Sequence, residues 1–114
     1  MITLTTLTSQ ARQKLQIEGE NREQITLTLE YLPRSQSWNF SIEYLEQVIN
    51  GIRLTNSPNV LRQFKNTLPF GIMCSTNDGL DPFFITDFES GRATISLLNE
   101  EEVQEVEETV YGSN

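Results

Sequence analysis

A chain of 114 residues, 37% hydrophobic, with a formal charge of −8, is long enough to bury one core, and its acidic balance excludes general affinity for phosphate backbones and anionic membranes. With no histidine and one cysteine, it cannot assemble a zinc site of thiolates and imidazoles, a Ser-His or Cys-His nucleophilic pair or an internal disulfide. No apolar run approaches the roughly 20 residues that cross a bilayer, and the start Met1-Ile2-Thr3-Leu4 lacks the basic flank and apolar stretch of a signal peptide, so one soluble domain over 1–114 is expected.

Residues 1–10 are threonine-rich and are expected to form an extended N-terminal segment. From Ala11 to Glu18, Ala11, Leu15 and Ile17 share one parity while Arg12, Lys14 and Glu18 share the other, which predicts a strand. Gly19-Glu20-Asn21-Arg22 tolerates positive φ and predicts a hairpin turn. Ile25, Leu27, Leu29 and Tyr31 then alternate with polar residues as a second strand. Pro33 to Ser37 break the pattern, and Trp38, Phe40, Ile42 and Tyr44 follow at every second position. Successive strand side chains point to opposite faces, so these four form one apolar face built to be covered, the expected structural core. Burying Trp38 alone removes roughly 150–250 Å² from water, an upper bound on the order of 4–6 kcal/mol.

Val48 to Leu54 predicts a further strand interrupted by Asn50-Gly51, a step compatible with either a tight turn or a bulge. Ser57-Pro58 has the form of a helix N-cap followed by proline, and Leu61 and Phe64 allow a helix of two turns or fewer. Ile72-Met73-Cys74 reads as a buried strand. Thr76-Asn77-Asp78-Gly79 is a turn signal, and Leu80, Phe83, Phe84, Ile85 and Phe88 then lie in an irregular aromatic loop or a short strand. Ala93 to Leu98 predicts the last strand. Residues 99–114 predict a short acidic C-terminal helix or tail: Asn99 and Glu102 have capping-box spacing, and Val103, Val106 and Val110 recur at helical intervals. Valine and late glutamates discourage extension, so Tyr111 to Asn114 are expected to fray. The fold class is mostly β: a small single-domain β-barrel or β-sandwich with one or two short helices.

Two groups of side chains carry chemistry. Asp78, Asp81, Asp87 and Glu89 match no calcium loop and sit where turns use aspartate, so turn chemistry is the expectation over a metal or an acid–base pair. Cys74, flanked by apolar residues, reads as a small buried hydrophobe. The second group is electrostatic: Gln47 to Asn77 holds Arg53, Arg62 and Lys65 and no acid, against the run Glu100, Glu101, Glu102, Glu105, Glu107 and Glu108. Such runs are solvated faces or complementary patches between subunits. No cofactor, metal or nucleic-acid partner is expected.

The succession Trp38-Asn39-Phe40-Ser41-Ile42, Gly51-Ile52-Arg53-Leu54, Asn59-Val60-Leu61-Arg62, Pro69-Phe70-Gly71-Ile72, Asp81-Pro82 and Leu97-Leu98 resembles the small baseplate plug proteins of contractile-tailed bacteriophages over roughly residues 25–110. The acidic end from Glu100 to Glu108 and the threonine-rich start depart from that pattern. The resemblance implies a non-enzymatic structural component of the virion, made in the host cytoplasm and located in the tail baseplate. There it would plug or bridge the junction of tail tube and central hub or spike, in several copies around the tail axis. Arg53, Arg62 and Lys65 become candidates for charged interface contacts, with Glu100, Glu101 and Glu105 as opposites on a neighbour. Two other classes stay open. One is a ligand-binding β-barrel with Trp38, Tyr31 and Tyr44 lining a pocket. The other is a tail-associated hydrolase using Asp81, Asp87 and Glu89.

Overall fold

Alternation governs the first half of the chain, as the computed structural model, which describes residues 1–112, makes plain. The described residues form β1 (Ile2–Thr3), β2 (Arg12–Glu18), β3 (Gln24–Leu32), β4 (Ser37–Tyr44), β5 (Gln47–Arg53), β6 (Gly71–Thr76), β7 (Ala93–Leu98) and α1 (Glu100–Thr109), with a 3-10 turn at Arg62–Phe64. β2 to β5 make one antiparallel meander in chain order, and β1, β7 and β6 make a second antiparallel sheet in that order. Ile25, Leu27 and Leu29 from β3 and Trp38, Phe40 and Ile42 from β4 are buried on one face, and they share a single core cluster with Ile72, Cys74, Ile95 and Leu97 of the other sheet. Tyr44 is half-buried and meets the Phe70 ring edge-on at 5.3 Å.

The Asn50-Gly51 step is a bulge. Phe40 faces Ile52 and Ile42 faces Ile49, so Ser41 stands opposite both Asn50 and Gly51, and Gly51 takes a φ of +69° that a side chain would strain. The hairpin turn itself falls at Leu45-Glu46, with Leu45 at φ +54°.

The two sheets stay open, so of the two expected forms, barrel or sandwich, the closed barrel is the one that does not form. Closure needs free strand edges, and the β6 edge is already taken. Ser57 N–H donates to Cys74 O at 2.9 Å, Cys74 N–H returns a bond to Ser57 O at 3.0 Å, and Val60 N–H donates to Ile72 O at 2.7 Å. β1, at the other side of that sheet, is two residues long. The outer strands of the meander are β2, which exposes Arg12, Lys14 and Glu18, and the bulged β5.

The same backbone bridge replaces the N-cap expected at Ser57. Helical structure waits until Arg62–Phe64, after Leu61, and no side chain caps it. Asn59 sets that path: its buried Oδ1 accepts from Leu61 N–H at 3.0 Å and from Ile72 N–H at 3.1 Å. A Cβ at Gly71 would lie 2.8 Å from this oxygen and 2.9 Å from Val103 Cγ2. Neither neighbour is free to retreat, so Gly71→Ala is expected to destabilise the protein by about 1–3 kcal/mol, read as a lower urea midpoint.

α1 follows from its capping box. Glu102 N–H donates to Asn99 Oδ1 at 2.8 Å and Asn99 N–H donates to Glu102 Oε1 at 3.0 Å. Glu100, Glu101 and Glu102 in the first turn complement the positive end of the helix dipole. Glu20, from the β2–β3 turn, accepts from Asn99 Nδ2 and from the Met1 ammonium, the latter at 2.9 Å.

Candidate functional site

The basic and acidic segments read from the sequence do meet, and within one chain. Arg62 Nε donates to Glu107 Oε2 at 2.9 Å and Lys65 Nζ to Glu107 Oε1 at 2.6 Å, while the Arg62 guanidinium lies 3.8 Å from the centroid of the Tyr111 ring. Glu107 occupies the buried face of α1 beside Val103, which is why a carboxylate on a helix end can be held by two cations. Tyr111 is therefore engaged instead of frayed; Ser113 and Asn114, covered by the same expectation, lie outside the described residues. Glu100, Glu101 and Glu105 are exposed on α1, and Arg53 is exposed at the end of β5, opposite Asn39. Arg53 makes no ion pair among the described residues. Between residues 65–69 and α1 runs a groove of about 470 Å³, walled by Lys65, Pro69, Val103, Gln104 and Glu107 among others.

The hydrogen bonds of Lys65, then of Arg62, hold the Glu107 carboxyl below the usual glutamate value of 4.5. A lowered folded-state value means stability that is present above the unfolded value and lost as pH falls through the folded one. Melting temperature is thus expected to fall on acidification below about pH 4.5. Glu107→Gln should be less stable than wild type at pH 7 and should shrink that acid-side fall. Equal slopes in the two proteins would assign the acid loss elsewhere, for instance to Asp78, whose value is lowered first by the Leu80 N–H and then by Arg92.

The acidic cluster resolves into separate local partners. Asp87, 1% exposed, accepts through Oδ2 from Phe83 N–H at 2.7 Å, Phe84 N–H at 2.9 Å and Arg92 Nη1 at 2.7 Å. Asp78 receives the other side of the same guanidinium, with Arg92 Nη2 at 2.9 and 3.0 Å from its two oxygens. Asp81 Oδ1 accepts from Asn56 N–H at 2.8 Å, and Glu89 accepts from the Ser9 hydroxyl. Among the described residues no three acidic or cysteine side chains converge as metal ligands. Burial pushes the Cys74 thiol up to about 12, with Asp81 and Asp87 adding to the shift, so it is a packing group.

Residues 77–92 form an irregular loop, and the core tryptophan holds it. Trp38 Nε1 donates to Phe84 O at 3.0 Å, and Tyr31 Oη, from the residue paired with Trp38 across β3 and β4, donates to Phe83 O at 2.8 Å. The Trp38 ring meets Phe88 at 5.1 Å and Tyr31 at 5.3 Å, and the Arg92 guanidinium lies 4.2 Å from the Phe83 centroid. Trp38 is fully buried among these rings, so the proposed pocket wall is a filled core. Arg92 has a single signal in the sequence, as the lone cation at the close of a loop with four carboxylates.

No curated protein matches the chain. The family model described as "Cyanophage baseplate Pam3 plug gp18" matches residues 1–101. That span includes both sheets, the 77–92 loop and the start of α1 up to Glu101, and ends one residue before Glu102. The chain therefore belongs to the cyanophage baseplate plug family, and is a structural component of a phage baseplate.

Proposed function

We propose that the chain is a non-enzymatic plug that bridges the tail tube and the central hub or spike by protein–protein contact, in several copies around the tail axis. The observation that carries the reading is the family match over 1–101. The geometry supports it, since each carboxylate of the 77–92 loop is used to fix backbone or bind a neighbouring side chain of the same chain. Of the residues that the sequence puts forward for the interface, Arg53 and the exposed Glu100, Glu101 and Glu105 are the ones left for contacts with neighbouring subunits. Arg62 and Lys65 would have to share or exchange Glu107 for a neighbour's carboxylate.

Electron cryo-microscopy of particles carrying a tagged copy tests this reading. Density for the tag at the tube–hub junction, repeated about the tail axis, is the expected result. Complete particles without the protein, or a tag placed on the outer baseplate, would overturn it.

A further inference from the structure

We propose that Phe84 is the anchor by which the protein seats on another baseplate component, and that its receptor is an apolar pocket with a basic rim. The inference rests on the baseplate reading and goes beyond it by naming the contact. Phe84 is 51% exposed, yet both of its backbone polar groups are held from the interior: the N–H by the buried Asp87 and the C=O by the buried Trp38 indole. Phe83, its neighbour, is held in the same way by Asp87 and Tyr31 Oη, and the two rings lie 4.3 Å apart. An irregular loop with this many buried attachments spends core hydrogen bonds on fixing a side chain that the fold itself leaves half in water.

Rigid presentation of an aromatic group lowers the ordering cost of binding, and such groups are the commonest interface anchors. Leu45 is more exposed, at 81%, but it sits on a two-residue hairpin turn with no comparable attachment, and single exposed leucines are ordinary. Leu80, 58% exposed, is a second exposed apolar side chain of the same loop.

Charge selects the occupant. The 77–92 loop carries Asp78, Asp81, Asp87 and Glu89 against Arg92 alone, so the loop as a whole is net acidic. A second copy of this chain, with a formal charge of −8, would meet it with like charge, whereas a pocket bordered by lysine or arginine is complementary.

The test titrates purified hub–spike and tail-tube complexes of the same phage with the full-length chain and its variants, by fluorescence anisotropy at low and high salt. The expected result is binding by wild type that weakens with salt, a loss of at least about 30-fold in Phe84→Ser, and near-wild-type binding by Phe84→Leu. If Phe84→Ser melts early, Phe84→Arg replaces it, because its stem can cover Phe83 while its charge repels a basic rim. Undiminished binding by the Ser or Arg variant would overturn the anchor, and salt-independent wild-type binding would overturn the basic rim. Failure of wild type to bind either complex would instead count against the baseplate bridge itself.

Discussion

Asp87→Ala is expected to lower the unfolding free energy by about 3–5 kcal/mol, the range for removing one partner of a buried charged contact. The carboxylate is 1% exposed and serves three donors at once: Phe83 N–H, Phe84 N–H and Arg92 Nη1. Alanine leaves two backbone N–H groups without an acceptor and a guanidinium facing a void. Asp87→Asn keeps the shape and one acceptor oxygen but loses the charge, and should cost less, about 1–3 kcal/mol. Urea unfolding followed by far-ultraviolet circular dichroism measures both. Faster amide exchange at Phe83 and Phe84 in Asp87→Asn would localise the damage to the loop, and exchange unchanged from wild type would show that Asp87 does not hold it.

Trp38→Ala should cost a similar amount, about 3–5 kcal/mol, because it empties a fully buried site and removes the donor to Phe84 O. Trp38→Phe separates the two contributions. The ring packing against Tyr31 and Phe88 is largely kept, while Phe84 O loses its partner, at about 1–3 kcal/mol. Since Trp38 and Asp87 hold the two backbone polar groups of the same residue, Phe84, Trp38→Phe combined with Asp87→Asn should cost less than the sum of the single changes. Strict additivity would mean that the loop is not one cooperative unit.

The meander was legible because period-two alternation is a local signal: Ile25 to Tyr31 and Trp38 to Tyr44 each declare a face, and their register follows from short turns. The capping box of Asn99 and Glu102 was legible for the same reason. What stayed hidden depends on partners far apart in sequence. β1 pairs with β7 across more than ninety residues, and nothing in Ile2-Thr3 announces it. Ser57 has the form of a cap, yet its backbone is captured by Cys74, a tertiary override that local propensity cannot register. The acidic and basic segments were visible, but their meeting at Glu107 required knowing which glutamate of α1 turns inward, and the helix pattern of valines points there only weakly. Likewise Asp87 read as a turn residue, and its three donors come from the folded loop.

Each sheet margin is guarded in a different way: β1 by brevity, β6 by the Ser57 and Val60 backbone, β5 by its bulge and β2 by Arg12, Lys14 and Glu18. Unpaired margins are templates for runaway polymerisation, and a component stored at high concentration before assembly is exposed to it. Blunted margins keep such subunits from zipping into fibres while they wait for the rest of the particle. With backbone pairing blunted at every margin, side chains are the chemistry left on these edges, and their contacts can be reversible and selective in a way that continuous backbone pairing cannot.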